Sequence, residues 1–538
     1  MATIVTDEEQ MEHNGEALPI LSASAKKMRI DKLLATPLPT YTSSVPGSYL
    51  WTKVAFWMCR RVSSVQFRTT SSSSVEILER DGAGAMCCGW HTNGLMDPLG
   101  IFLQHPKEFV VGARHDLVTR PLLGWWTRRL AVQPVVRKAE LLRGGCTEEE
   151  AMHLNGRSLL ALSSGIAHGF GCVLFPEGTS HDKSHMIRFK TGPVRTVLAA
   201  AALAKANDRP LPKLVPVGLH FRRRELFRTD QYIEFGPPIA LTDDQVPEAM
   251  VAAVKEGGWI EPPADAVHQI RASLQEALPP LTPHTSTWEE HRALHLIAHH
   301  RARVNGTSLN SWQDEVQAAR DVREAWPERT PSLPPPPLGG GRIEVATKAA
   351  ALLDEHGLDG RDLDLTGLGL RRAHFLRAPS GAARMAFFLA MLPVFLTSLG
   401  PQLALGRLLG DSTDEGLDAR TSYQFLAAFF GSLLVWPVVA ALWTGAIWWQ
   451  HEAIAAAFDW SPLWLSNLAG TVATGLMAVY FCCFPVFWLS GKAFAGAWDA
   501  WIDLKKAWTR MTMNSHDKGR LSEWLNQLAS YEGGLQTG

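Results

Sequence analysis

No CxxC spacing occurs anywhere in this sequence, and its seven cysteines are an odd number. Both facts argue against a disulfide framework and against a cysteine-based zinc site. The adjacent pairs Cys87/Cys88 and Cys482/Cys483 lie inside apolar runs, where they read as small buried hydrophobes. An excess of charge is also lacking. The 52 lysines and arginines face 53 aspartates and glutamates, for a formal net charge of -1, so no nucleic-acid partner is expected. The opening "MATIVTDEEQMEHNG" has neither the apolar core of a signal peptide nor the arginines of a transit peptide. Three long stretches, 385–406, 421–450 and 461–491, contain no Asp, Glu, Lys or Arg at all.

At 538 residues the chain has room for several domains. Residues 1–45 are polar and punctuated by Pro and Ser, which predicts a disordered tail. The segment 46–74 contains "SYLWTKVAFWMCRRVSSVQF", where Trp51, Phe56 and Trp57 mix with Lys53, Arg60 and Arg61. An amphipathic helix follows, either lying on a membrane surface or packed on the next domain. "TTSSSS" at 69–74 reads as a low-complexity loop. Over 75–245 short apolar runs ("GAMCCGW", "EFVVGAR", "AVQPVV", "GCVLF", "KLVPVGLHF", "QYIEFG") alternate with helical periodicity. That alternation predicts an α/β layer structure with a mostly buried sheet and chemistry at the strand ends. A helical extension is expected over 246–331, a Pro/Gly linker ("SLPPPPLGGG") over 332–342 and a connector over 343–384.

The charge-free stretches place a membrane region at 385–495, followed by a tail over 496–538. A spanning helix takes roughly 20 mainly apolar residues, which 425–449 and 466–490 satisfy. The first stretch carries Pro393 and Pro401, each removing a helix hydrogen bond, so 385–406 is expected to form a hairpin that does not cross straight. Arg371, Arg372, Arg377 and Arg384 precede it, Arg407 and Arg420 follow it, and Lys492, Lys505, Lys506 and Arg510 follow the third stretch. The 451–460 loop has Glu452 and Asp459 but no Lys or Arg. Two spans put every basic cluster on one side, which favours a cytosolic α/β domain. Asp411, Asp414, Glu415 and Asp418 crowd the loop after the first stretch, but acidic residues count for little in that rule.

In "CCGWHTNGLMDPLGIF", at 87–102, His91 stands six residues before Asp97. A neutral imidazole accepts a hydroxyl proton near neutral pH, and a carboxylate on its other nitrogen fixes the tautomer. "MDPLGIFLQ" reads equally as an Asp97 N-cap with Pro98 at the first helical position. The two readings are compatible, because one carboxylate has two oxygens. In "CVLFPEGTSHDKSHMIRFKTG", at 172–192, Gly178 permits a tight turn and Glu177 either accepts a substrate hydroxyl or anchors that turn. Lys183, Arg188 and Lys190 supply positive charge suited to a phosphate. Arg137 ends the strand of "LAVQPVVR", where a guanidinium fits bidentate phosphate contact. In "HRALHLIAHH", His291, His295 and His299 share one helical face. Packing is preferred there to zinc, because Glu289 and Glu290 point off that face. Asn305 opens the sequon "NGT", which a cytosolic placement leaves unused.

Four stretches in order ("HTNGLMDP", "LAVQPVVR", "FPEGTSHDK" and "LVPVGLHF") resemble the blocks of the glycerolipid acyltransferase family. Five residues separate His91 from Asp97 where the family usually has four, and Ser180 stands where an arginine is common. Both departures resemble the fungal-type glycerol-3-phosphate/dihydroxyacetone-phosphate branch, as does the hydrophobic C-terminus. The resemblance implies an acyltransferase-type αβ domain with C-terminal transmembrane helices and a place in the endoplasmic reticulum membrane. Acyl-CoA would be the co-substrate, with no cofactor and no metal. The acceptor would be glycerol 3-phosphate or dihydroxyacetone phosphate, and membrane lipid would be a further partner. It implies His91 as general base and Asp97 as its orienting partner. Asn93, Arg137, Glu177, Gly178, Thr179, Ser180, Lys183 and Arg188 would lie at the substrate. Two other readings are a lysophosphatidate or lysophospholipid acyltransferase, against which "SHDK" speaks, and a catalytically silent membrane scaffold.

Overall fold

The computed structural model describes residues 12–13, 16–17, 39–78, 82–114, 121–135, 141–142, 147–326, 332–372, 378–412 and 417–534. The tail expected over 1–45 therefore lies almost wholly outside the described residues, as do Arg137, Arg377, Asp414 and Glu415. Helix α1 (Tyr49–Gln66) runs straight into strand β1 (Phe67–Ser73). Then come β2 (Ala85–Gly89), α2 (Met96–Gln104), β3 (Gly112–Arg114), α3 (Pro121–Arg129) and β4 (Gln133–Val135). The α/β domain finishes with α4 (Glu148–Ala167), β5 (Gly171–Val173), α5 (Gly192–Ala206), β6 (Lys213–Phe221) and β7 (Thr229–Phe235).

Five strands form one sheet in the order β1-β7-β6-β2-β5. β2 pairs parallel with β5 and β6, β1 pairs parallel with β7, and β6 meets β7 antiparallel. β3 and β4 make a separate parallel pair. β2 is buried along its whole length, and β6 is buried from Leu214 to His220. Covered on both faces, these central strands read as continuous apolar runs rather than alternating ones. Burial pushes the Cys172 thiol up to about 12, so it packs as a hydrophobe and stays protonated.

"TTSSSS" was expected to be a loop; instead it forms most of edge strand β1, paired residue by residue with β7. The Thr69 hydroxyl donates to Asp230 at 2.7 Å, and Ser73 bonds the Tyr232 hydroxyl at 2.7 Å. Short hydroxylated side chains carry little β-pattern, but an edge strand needs only its backbone and a partner. The sheet thus takes in residues from Phe67 onward. Helix α1 packs on the domain by one face and leaves a mixed apolar and basic face exposed. Ala55, Met58 and Val65 are buried, while Tyr49, Leu50 and Trp57 are exposed alongside Lys53, Arg60 and Arg61.

After the sheet come α6 (Glu248–Lys255), α7 (Ala264–Ala277), α8 (Trp288–Val304), α9 (Trp312–Glu324) and α10 (Gly341–Glu355). The segment expected to be a mere connector packs as α10 against α8, joining Leu294, Ile297, Val322 and Leu353 in one core. This helical unit is locked to the sheet by charge. Arg222 bonds Glu315 (2.6 Å), Arg320 bonds Glu234 (2.8 Å), and the Trp312 indole donates to the His220 carbonyl (3.1 Å). The histidine stripe is packing, half-buried at His291 and His295 and buried at His299: His295 stacks on Trp312 at 5.1 Å, and His299 meets Glu315 at 3.1 Å. Among the described residues no group of three His, Cys, Asp or Glu side chains is arranged to hold a metal.

The C-terminal third contains α11 (Ala378–Ser398), α12 (Gly400–Asp411), α13 (Leu417–Leu434), α14 (Trp436–Trp449), α15 (His451–Ala457), α16 (Trp464–Ala469), α17 (Val472–Thr512) and α18 (Ser515–Gly534). Among the described residues two helices, over Pro379–Ser398 and Val472–Thr512, are long and apolar enough to cross a membrane. The 385–406 stretch differs from expectation. Helix α11 passes through Pro393 unbroken, and the Thr397 hydroxyl donates to the Pro393 carbonyl at 3.0 Å. The break comes at Leu399, and Pro401 falls in the first turn of α12, where no N–H is needed. The 425–449 stretch is not straight either, since α13 and α14 meet at a 50° bend with Pro437 just beyond it. The stretch 466–490 divides at Gly470, whose φ of +85° ends α16 two residues before α17 begins. Helix α18 does not trail away as a tail. Leu521, Leu525 and Leu528 join the core of α8 and α10.

Candidate active site

The chain leaves the buried strand β2 at Gly89, and the Trp90 indole donates to the Leu219 carbonyl at 3.1 Å. His91 follows at the strand's carboxyl end, with its side chain 19 % exposed. Its Nδ1 lies 3.0 Å from Asp97 Oδ2, and its ring stacks on Phe175 at 4.1 Å with planes 8° apart. The same Asp97 oxygen accepts the backbone N–H groups of Thr92 (2.8 Å) and Asn93 (2.7 Å). One fully buried carboxylate thus closes the loop and holds the imidazole by one nitrogen. The other nitrogen, Nε2, remains to take a proton.

The capping expectation is corrected here. Asp97 is the second residue of α2, Pro98 the third, and the helix has no side-chain cap at its own N-cap residue Leu95. Asp97 turns back to the loop, where His91 and two loop amides meet one of its oxygens.

The second stretch closes over the first. Glu177 is fully buried. Its Oε2 accepts the His91 backbone N–H (2.9 Å), and Oε1 accepts that of Ile187 (2.9 Å) and faces His181 Nε2 at 2.7 Å. The carboxylate that might have touched a substrate hydroxyl is therefore the anchor of the turn. Gly178 sits at φ +72°, and a Cβ there would approach Lys190 Cδ to 2.9 Å, so the turn requires glycine. Asn93 is fully buried, and its amide oxygen accepts the Thr421 hydroxyl at 2.8 Å. Thr179 and Ser180 are half-buried, while Lys183 and Arg188 are exposed on the same turn. Arg188 Nε reaches the Glu177 carbonyl at 3.5 Å. His91, Asp97, Glu177, Gly178, Thr179, Ser180, Lys183 and Arg188 are brought together, and Arg137 lies outside the described residues.

Sequence reasoning missed three supports. His181 binds Glu177 through its ring and the His91 carbonyl through its backbone N–H (3.0 Å); its signal was its place four residues after Glu177. Phe175 fixes the plane of the His91 ring. Arg224 donates to the carbonyls of Thr92 (3.1 Å) and His181 (3.4 Å), tying the two stretches together from the loop after β6. The run "FRRRELFR" after the fourth block was its only trace.

A histidine–aspartate pair at the end of a parallel strand, oriented and half-open, suits proton abstraction from a hydroxyl. Residues 65–219 match the Acyltransferase family model, and they span the sheet from the end of α1 through most of β6. The chain thus carries an acyltransferase domain. Two similar curated proteins come from Saccharomyces cerevisiae. Glycerol-3-phosphate O-acyltransferase 2 is 33 % identical over 103 residues, covering 19 % of this chain and 14 % of that one. Glycerol-3-phosphate O-acyltransferase 1 is 29 % identical over 124 residues, covering 23 % and 15 %. The matched segment spans about one seventh of the length of these relatives. The 1-acyl-sn-glycerophosphate acyltransferase of Thermotoga maritima superposes with a TM-score of 0.27 at 15 % identity, over 41 % of this chain and 80 % of that one.

Proposed function

We propose that the protein is a membrane-bound, acyl-CoA-dependent glycerol-3-phosphate O-acyltransferase acting at the sn-1 hydroxyl. The observation that carries this reading is His91, held at Nδ1 by buried Asp97 and open at Nε2. The acceptor hydroxyl gives its proton to Nε2 as its oxygen bonds to the thioester carbonyl carbon. The carbon–sulfur bond then breaks, and the thiolate leaves and takes the proton back from the imidazolium. A thiolate leaves readily, so no serine or cysteine nucleophile is required. Lys183, Arg188 and Arg137 are assigned to the acceptor's phosphate, whose binding energy orients the hydroxyl. The "SHDK" form of the third block and the names of the yeast relatives favour glycerol 3-phosphate, with dihydroxyacetone phosphate as a second acceptor.

Helix α18 and the acyltransferase domain belong to one packed body through α8 and α9. That supports an even number of crossings between 385 and 491, with the catalytic domain and the C-terminus both facing the cytosol of the endoplasmic reticulum. Labelled acyl-CoA supplied with each acceptor tests the assignment. Turnover with lysophosphatidate alone would replace it by the other acyltransferase reading. No turnover with any acceptor would favour a silent scaffold.

A further inference from the structure

The loop that carries His91 and Asp97 is held from a distant part of the chain. Thr421, 1 % exposed, donates its hydroxyl to Asn93 Oδ1 at 2.8 Å across 328 residues of sequence. Its neighbour Ser422 accepts the Leu95 backbone N–H at 2.9 Å, supplying the side-chain cap that α2 lacks in its own sequence. Asn93 in turn donates its backbone N–H to Asp97 Oδ2, the oxygen that holds His91. A continuous path of hydrogen bonds thus runs from Thr421 through Asn93 and Asp97 to the imidazole.

Apolar packing seats the same helix. Phe425 and Phe429 of α13 join Met96 and Leu99 of α2 in one buried cluster, and Phe429 stacks on Trp126 at 5.1 Å. Behind α13, Gly406 and Gly410 of α12 let the two backbones close up. A Cβ at Gly406 would stand 2.7 Å from the Gln424 Cα, and one at Gly410 would stand 2.9 Å from the Arg420 Cα. Arg420 is pinned to Asp411 at 2.6 Å. The helix pressed against the catalytic loop is therefore braced by α12 and continues through the 50° bend into the apolar helix α14.

We propose that Thr421 and Ser422 are positioning residues for acyl transfer, so that the site is a composite of the acyltransferase domain and the C-terminal apolar region. The inference rests on His91 acting as the base. Neither hydroxyl is placed at the substrate; both act through Asn93 and the start of α2. A loop amide held on one side only lets Asp97 and the imidazole drift, and small misplacements of a base are costly in rate.

The test uses the full-length protein in phosphatidylcholine nanodiscs, with Thr421→Val, Thr421→Ser, Ser422→Ala and His91→Ala compared for kcat, KM and thermal midpoint. Thr421→Val is expected to lower kcat about tenfold with KM for both substrates unchanged, because the loss falls on alignment rather than binding. Thr421→Ser should restore kcat, and Ser422→Ala should lower it with no change in KM. A wild-type kcat in both Thr421→Val and Ser422→Ala would overturn the inference, as would a loss in Thr421→Val that serine fails to rescue. Should Thr421→Val not fold, Ser422→Ala decides in the same way. An inactive His91→Ala beside fully active Thr421→Val and Ser422→Ala sinks this inference alone. A fully active His91→Ala sinks the reading of the site beneath it.

Discussion

At the residue scale the site is organised by two buried carboxylates, and each makes a different demand. Asp97 Oδ2 serves His91 and two loop amides together. Asp97→Asn would place one neutral oxygen or an NH₂ opposite those three donors. Its kcat is expected to fall by about 10²–10⁴-fold, read in steady-state turnover with the melting curve recorded alongside. Glu177 touches no solvent, and its three partners are the His91 amide, the Ile187 amide and the His181 ring. Glu177→Gln keeps one acceptor and loses the other, so a stability loss of roughly 1–3 kcal/mol should accompany lost activity in denaturant titrations. His91, Asp97 and Glu177 were legible because their spacing is local and their chemistry distinctive. The Asn93–Thr421 bond was not, because it joins residues 328 positions apart that no local pattern announces.

At the scale of elements, the sheet was legible wherever strands are apolar and invisible at β1, where backbone pairing alone makes the strand. The stripe of His291, His295 and His299 was legible as a face, and only the fold shows that Trp312 and Glu315 cover it. Burial holds the His295 imidazole down to about 3, against the attraction of Glu315. For Glu315, burial alone would raise the carboxyl, but the Arg222 and His299 bonds and charges more than reverse it, down to about 2. Both groups are depressed in the folded state, so both contribute stability that is lost on acidification. His295 acts first: released at its ordinary value of about 6.5, it costs on the order of 2 kcal/mol by pH 5. Glu315 follows between about 4.5 and 2. His295→Phe keeps a ring against Trp312 and removes the titration. Its melting temperature should therefore decline less than the wild type's between pH 7 and pH 5.

At the scale of the whole molecule, composition alone revealed three charge-free stretches in the last third of the chain but not how they are divided. Pro393 is absorbed inside α11, whereas the breaks fall at Leu399 and Val435. Hydropathy registers length and charge; bends follow from packing and from prolines at helix starts. With an even number of crossings, a cysteine introduced at Ser461 should react with membrane-impermeant maleimide only after the far side is opened. One introduced at Ser515 should react, or stay protected, together with the catalytic domain. The central claim is that His91, steered by Asp97, drives acyl transfer to glycerol 3-phosphate. The most direct measurement is release of free CoA thiol by the purified protein in lipid nanodiscs, given acyl-CoA and glycerol 3-phosphate, beside His91→Ala at equal folded concentration. The account predicts thiol release matched mole for mole by lysophosphatidate, and a loss of at least about a hundredfold in His91→Ala. Equal turnover by the two proteins would contradict it.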